Sequence, residues 1–160
     1  DHADLADPAS RDPVARLSTR LSCTCNTAAH CSYDPHFIRA HIPGPAWTHE
    51  VIPLLFQVPT EEFDAPWARE TFKLGSPIEF VDERAVPTLM FHERPDVPAD
   101  RAMTVNESIH HGRFAQVLAE RLKKFGVECE IRYRSEYPNP EAGESALFSE
   151  AAAGFLKRHL

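Results

Sequence analysis

The chain lacks any apolar run approaching the roughly 18 residues needed to span a bilayer, so no membrane-spanning helix is expected. It lacks an excess of positive charge. Seventeen Lys and Arg stand against 24 Asp and Glu, a formal net charge of −7. The basic residues are scattered. Their densest group, Arg121, Lys123 and Lys124, shares a predicted helix with Glu120 and reads as a solvated helix face. A nucleic-acid partner and an anionic membrane surface are therefore disfavoured. Glycine is scarce at 6 of 160 residues. Hydrophobic residues make up 42% and charged residues 26%, which excludes collagen-like and strongly disordered chains. No internal repeat or low-complexity tract occurs.

Four cysteines are too few for a disulfide-dense scaffold. Cys23, Cys25, Cys31 and Cys129 read as buried free thiols, with a single disulfide as the alternative. The stretch CTCNTAAHC, with His30, His36 and His41 nearby, has ligand types suited to zinc. Its spacing matches no standard finger or ribbon, there is no second C-x2-C pair, and HExxH is absent. A small Cys/His metal-binding module thus stays open as one reading, while neither a metal nor a cofactor is expected on the favoured one. His110 and His111 are adjacent, so on a helix they would point about 100° apart and could not easily share a metal.

What the chain has is length for about one domain with a real core, and 14 prolines that separate its elements by loops. Residues 1–19 read as a polar linker. Residues 20–26 alternate and read as a short strand. Asp34-Pro35 sets an N-cap and a first-turn proline for the helix PHFIRAH. Short helices are expected within 46–60 and 61–75, so that 34–75 forms a helical insertion. The run 87–92 (PTLMFH) suits a fully buried parallel strand. The spacing predicts the longest helix over 107–125, with Phe114, Val117, Leu118, Leu122 and Phe125 on one face and Gly126 as its stop. Residues 127–134 alternate as a strand. Residues 145–159 give a last helix, with His159 as a surface cation at its end. The order implies an α/β fold, a three-layer α/β/α arrangement with a mostly parallel sheet. Residues 87–160 supply its closing βαβα unit.

The order and spacing of Gly75-Ser76-Pro77, Pro87-Thr88-Leu89-Met90-Phe91-His92, Ser108 to Phe125, Gly126-Val127 and Phe155 to Leu160 resembles the C-terminal half of α/β-hydrolase-fold esterases and lipases. The opening DLADPASRDPVARLSTRL is similar to the linker after the nucleophile helix of such enzymes. SYDPHFIRAHIPGPAW and the ESIHHGRF–GVECEIRYR block resemble a bacterial subgroup of esterase-like proteins. The resemblance implies a partial α/β-hydrolase-like domain spanning 1–160, with further residues upstream of Asp1. It implies a carboxylic-ester hydrolase acting on a small-molecule ester through a serine nucleophile. Export is common among such relatives, although no signal peptide is visible in this stretch and the compartment is left open.

That chemistry needs a Ser on a G-x-S-x-G turn, a His to take its proton and an acid to orient the His. No G-x-S-x-G occurs here. Ser76 follows Gly75 but precedes Pro77, the wrong context. The nucleophile and oxyanion donors are therefore expected upstream. The family pattern places the acid four residues after the strand-end His, which is Asp96 after His92. Asp100 and Glu93 are rivals, and Asp96 also reads as a loop-capping carboxylate. The family's His after the last strand is missing from the loop SEYPNPEAGES. His110 or His111 would have to replace it as base; otherwise they serve helix-start packing. Without both serine and base this stretch alone is expected to be inactive. A non-catalytic hydrolase-like scaffold that binds a ligand or partner is the alternative. The free edge of so thin a sheet predicts self-association or docking to another chain.

Overall fold

A computed structural model describes residues 4–92, 103–139 and 143–160. Three strands, β1 (Thr24–Thr27), β2 (Thr88–His92) and β3 (Cys129–Tyr133), pair in the order β1-β2-β3, and both pairings are parallel. Among the described residues six α-helices accompany them: α1 (Pro35–His41), α2 (Val51–Phe56), α3 (Pro66–Leu74), α4 (Val105–Ile109), α5 (Arg113–Lys124) and α6 (Glu144–His159). The α/β class and the parallel sheet expected from the alternation are present.

All five residues of β2 are buried, as befits the central strand of a parallel sheet. Successive side chains alternate between the two faces. Leu89 and Phe91 face α6. Leu89 packs with Ala152 and Phe155, and the Phe91 ring stands 6.2 Å from Phe148. Met90 and His92 therefore face the opposite layer, where Ile38, Ile52, Phe72, Ile109, Phe114 and Val117 join α1–α5 into the larger core. The α6 face is also held by polar ties. Thr27 Oγ1 donates to Glu144 at 2.6 Å, and Arg158 donates to Glu130 of β3.

Local chemistry explains the helix boundaries. Asp34 accepts the His36 N–H at 2.8 Å and caps α1, with Pro35 in its first turn. Ser76 is buried after α3. Its hydroxyl donates to the Phe72 carbonyl at 2.7 Å and receives the Tyr33 N–H at 2.9 Å.

Several expectations need correction. The first strand begins at Thr24, not at residue 20, because pairing to the β2 segment starts where the Thr24 N–H meets the Pro87 carbonyl. Leu21 is exposed. The helix expected over 107–125 is two helices. Thr104 and Glu107 form a reciprocal capping box that starts α4 early. The chain then breaks at His110, and α5 restarts after Gly112. The longest helix is therefore α6, with 16 residues. Phe125 falls outside α5, exposed, with the Arg121 guanidinium over its ring. His159 is not a free surface cation. Its ring stacks on Phe155 at 4.4 Å and its Nε2 lies 3.5 Å from Glu128.

Residues 4–19 hold neither helix nor strand. Asp4 organises them. Its carboxylate accepts from Ala6 N–H, Ser18 Oγ and Thr19 N–H, and these bonds hold its carboxyl well below the usual carboxylate range. No helix among the described residues is long and apolar enough to cross a membrane.

Candidate functional site

Parallel strands bring their C-terminal ends to one side of the sheet. In open α/β sheets that side is where ligands and catalytic groups collect. Here it carries imidazoles. His92 closes β2, in register with Tyr133 of β3. His30 follows β1 by a short loop. His110 and His111 stand at the break between α4 and α5.

The His30 and His110 rings are 5.9 Å apart, centroid to centroid. His30 also packs against Phe114 at 5.1 Å and edge-on to Tyr33 at 5.4 Å. His92 is 1% exposed, and neither of its ring nitrogens has a hydrogen-bond partner among the described residues. The Nε2 of His30 is likewise buried without one. Orphaned buried polar atoms are rare and call for a reason.

Burial makes both rings reluctant to charge. His92 is pushed down to about 4, first by desolvation and then by repulsion from His30, with His110 and His111 adding to it. The backbone of His110 opposes this without making a hydrogen bond of ordinary geometry. His30 is lowered by desolvation first and by His110 and His49, against a favourable effect of the Ile109 backbone. At neutral pH both are neutral imidazoles, able to accept or donate a proton.

His110 is exposed and belongs to the cluster. His111 is buried, and its Nδ1 accepts the Arg113 N–H at 3.0 Å, which caps the start of α5. Asp96 and its rivals Asp100 and Glu93 lie outside the described residues. Ser76 is fully engaged in backbone hydrogen bonds. Ser108 is buried and donates to the Val105 carbonyl at 2.9 Å. After β3, Glu136 lies 3.6 Å from Arg132 and the Tyr137 ring lies 5.9 Å from Phe91. Neither supplies an imidazole's proton chemistry.

His30 and His92 are the residues that sequence reasoning did not assign to a site together. The signal available was a histidine ending a buried apolar run, and nothing in spacing ties it to His30 or His110.

The Cys/His metal-module reading is corrected. Cys23 and Cys25 pack on the α6 side against the Leu89–Ala152–Phe155 cluster, while Cys31 is buried in the opposite core. His36 pairs with Asp64 at 3.1 Å and His41 stacks on Phe37 at 4.4 Å. Among the described residues, no group of three or more His, Cys, Asp and Glu is placed to hold a metal ion. All four cysteines are free thiols.

No protein-family model and no curated protein sequence matches the chain. A solved structure, an acetyl ester-xyloside bifunctional hydrolase from Caldicellulosiruptor lactoaceticus, is similar with a TM-score of 0.45 and 18% identity over 95% of this chain. The chain spans about half, 50%, of that protein's length.

Proposed function

We propose that this chain is the C-terminal part of an α/β-hydrolase-like carboxylic-ester hydrolase acting on a small-molecule ester. The observation that carries the reading is the group of imidazoles, His30, His92 and His110, at the C-terminal end of the central parallel strand. In this reading a serine and its oxyanion donors come from upstream of Asp1. A histidine takes the serine proton as the oxygen attacks the ester carbonyl, and returns it to the departing alcohol. Water then attacks the acyl-enzyme by the same route in reverse, releasing the carboxylic acid. His110 is the better base of the adjacent pair, because its ring is exposed whereas His111 is buried and caps α5. Asp96 is proposed as the acid that orients the base.

A specific observation favours a second reading, a hydrolase-like scaffold without hydrolase chemistry. The segment after β3 carries Glu136 and Tyr137 where an esterase needs its histidine. A fluorophosphonate probe on the full natural protein separates the two. One adduct by intact mass, with ester turnover lost in His110→Ala, supports the esterase. No adduct and no turnover supports the scaffold. The outer strands β1 and β3 each pair on one side only within this sheet. Edges of that kind invite another chain. Self-association is therefore part of the proposal, and a clean monomer by light scattering at high concentration counts against it.

A further inference from the structure

The imidazoles at the strand ends have a consequence that is independent of any ester chemistry. They sit where three segments distant in sequence come together: the loop after β1, the end of β2, and the α4–α5 junction. Every charged or titratable group acting on His92 among the described residues is another histidine, namely His30, His110 and His111. Those acting on His30 are His110 and His49. His49 comes from the loop before α2, so among the described residues the elements around His30 add a further imidazole. Tyr33 and Phe114 complete its surroundings with ring faces. Among the described residues, a proton gained here meets like charge and apolar surface, opposed only in part by the backbone of His110 at His92 and of Ile109 at His30.

We propose that His30, His92 and His110 form an acid-released clasp, which holds the α4–α5 junction against the C-terminal end of β2 and frees it when the buried rings of His30 and His92 take up protons. The geometry fits such a device. His92 is buried, and neither of its ring nitrogens has a hydrogen-bond partner of ordinary geometry among the described residues. His110 is exposed, so the cluster is open to solvent on that side. The element to be released is short, because α4 has five residues and ends at the break. Helices of that length depend on tertiary contacts for their stability.

The sign follows from linkage. A histidine whose closed-state value lies below its open-state value contributes stability in full above the open-state value. That stability drains away as pH falls toward the closed-state one. Burial lowers His92 from the ordinary imidazole value of 6.5 to about 4, and the ordinary value applies once the ring is solvated. For that ring alone the open-to-closed ratio at pH 5 rises roughly thirtyfold over its value at pH 7.5.

Hydrogen exchange followed by mass spectrometry tests the clasp, with exchange times scaled for the intrinsic effect of pH. Peptides covering 103–112 should lose protection by tenfold or more between pH 7.5 and pH 5, while peptides from α6 keep theirs. The double variant His30→Gln, His92→Gln should flatten that dependence. Equal loss of protection in α6 and 103–112, in both proteins, would overturn the clasp in favour of global acid unfolding. Unchanged protection of 103–112 in the unsubstituted protein would overturn it as well. Should the double variant fail to fold, ring titration by NMR of the unsubstituted protein decides. Two histidines titrating well below the other seven support the clasp, and nine ordinary titrations near 6.5 overturn it.

Discussion

A Cβ placed on Gly44 would stand 2.9 Å from the Cβ of Ser108. This approach seats α4 on the turn that follows α1, and it needs glycine twice over. Gly44 has a φ of +81°, which side-chain-bearing residues adopt at a cost. Ser108 cannot retreat, because it is buried and its Cβ is fixed by the helix backbone. Gly44→Ala is therefore expected to lose about 2–4 kcal/mol, combining left-handed backbone strain with overpacking. Denaturant unfolding of the variant against the unsubstituted protein checks it, and a change within 0.5 kcal/mol would refute the seating.

Ser76 offers a separate expectation. Its hydroxyl is buried and serves the Phe72 carbonyl, the Tyr33 N–H and Ser32. Ser76→Ala leaves the Tyr33 amide without its acceptor and should cost about 1–3 kcal/mol. The same substitution should leave any fluorophosphonate labelling of the natural protein untouched. Loss of the adduct in a variant that still folds would make Ser76 the nucleophile and overturn its structural assignment.

The parts of the fold that were legible are those set by local rules. The Asp34-Pro35 cap starts α1 where the sequence says, and the apolar run before His92 is the buried central strand. The break between α4 and α5 was not legible. Apolar spacing continues through it, and what divides the helices is a capping box at Thr104 and the turn at His110 to Gly112. The imidazole group is less legible still. His30, His92 and His110 come from three segments that only the parallel register and the helix break bring together. The missing histidine after β3, in contrast, was visible in the sequence and remains the main argument for a scaffold without catalysis.

The sheet's second face gives a sharp stability test. Phe155 is fully buried and packs on Leu89 and Ala152 from α6. Phe155→Ala should cost roughly 3–5 kcal/mol, the transfer loss plus the cavity left behind. Leu160, four-fifths or more exposed one turn later, provides the control. Leu160→Ala should stay within about 0.5 kcal/mol. Similar losses in both would mean that α6 does not dock on β2 as described.

The cysteines separate by burial, and their reactivity should follow. Cys31 is fully buried and burial pushes its thiol up to about 12. Cys129 is pushed up to about 11 by the same cause, and Cys25 is raised by burial and then by Cys23 and Glu130. Only the thiolate reacts, so at pH 8 about one Cys31 side chain in ten thousand is competent at any moment. Alkylation of the folded protein at pH 8 should therefore leave Cys31 and Cys129 unmodified over times that fully modify the unfolded chain. In denaturant without reductant all four should react, because the structure pairs none of them. A count of two would reveal a disulfide and contradict the placement of Cys23 and Cys25 as packing groups over Leu89. Fast modification of Cys31 in the folded protein would instead show that the core between α1 and α5 opens far more readily than its packing implies.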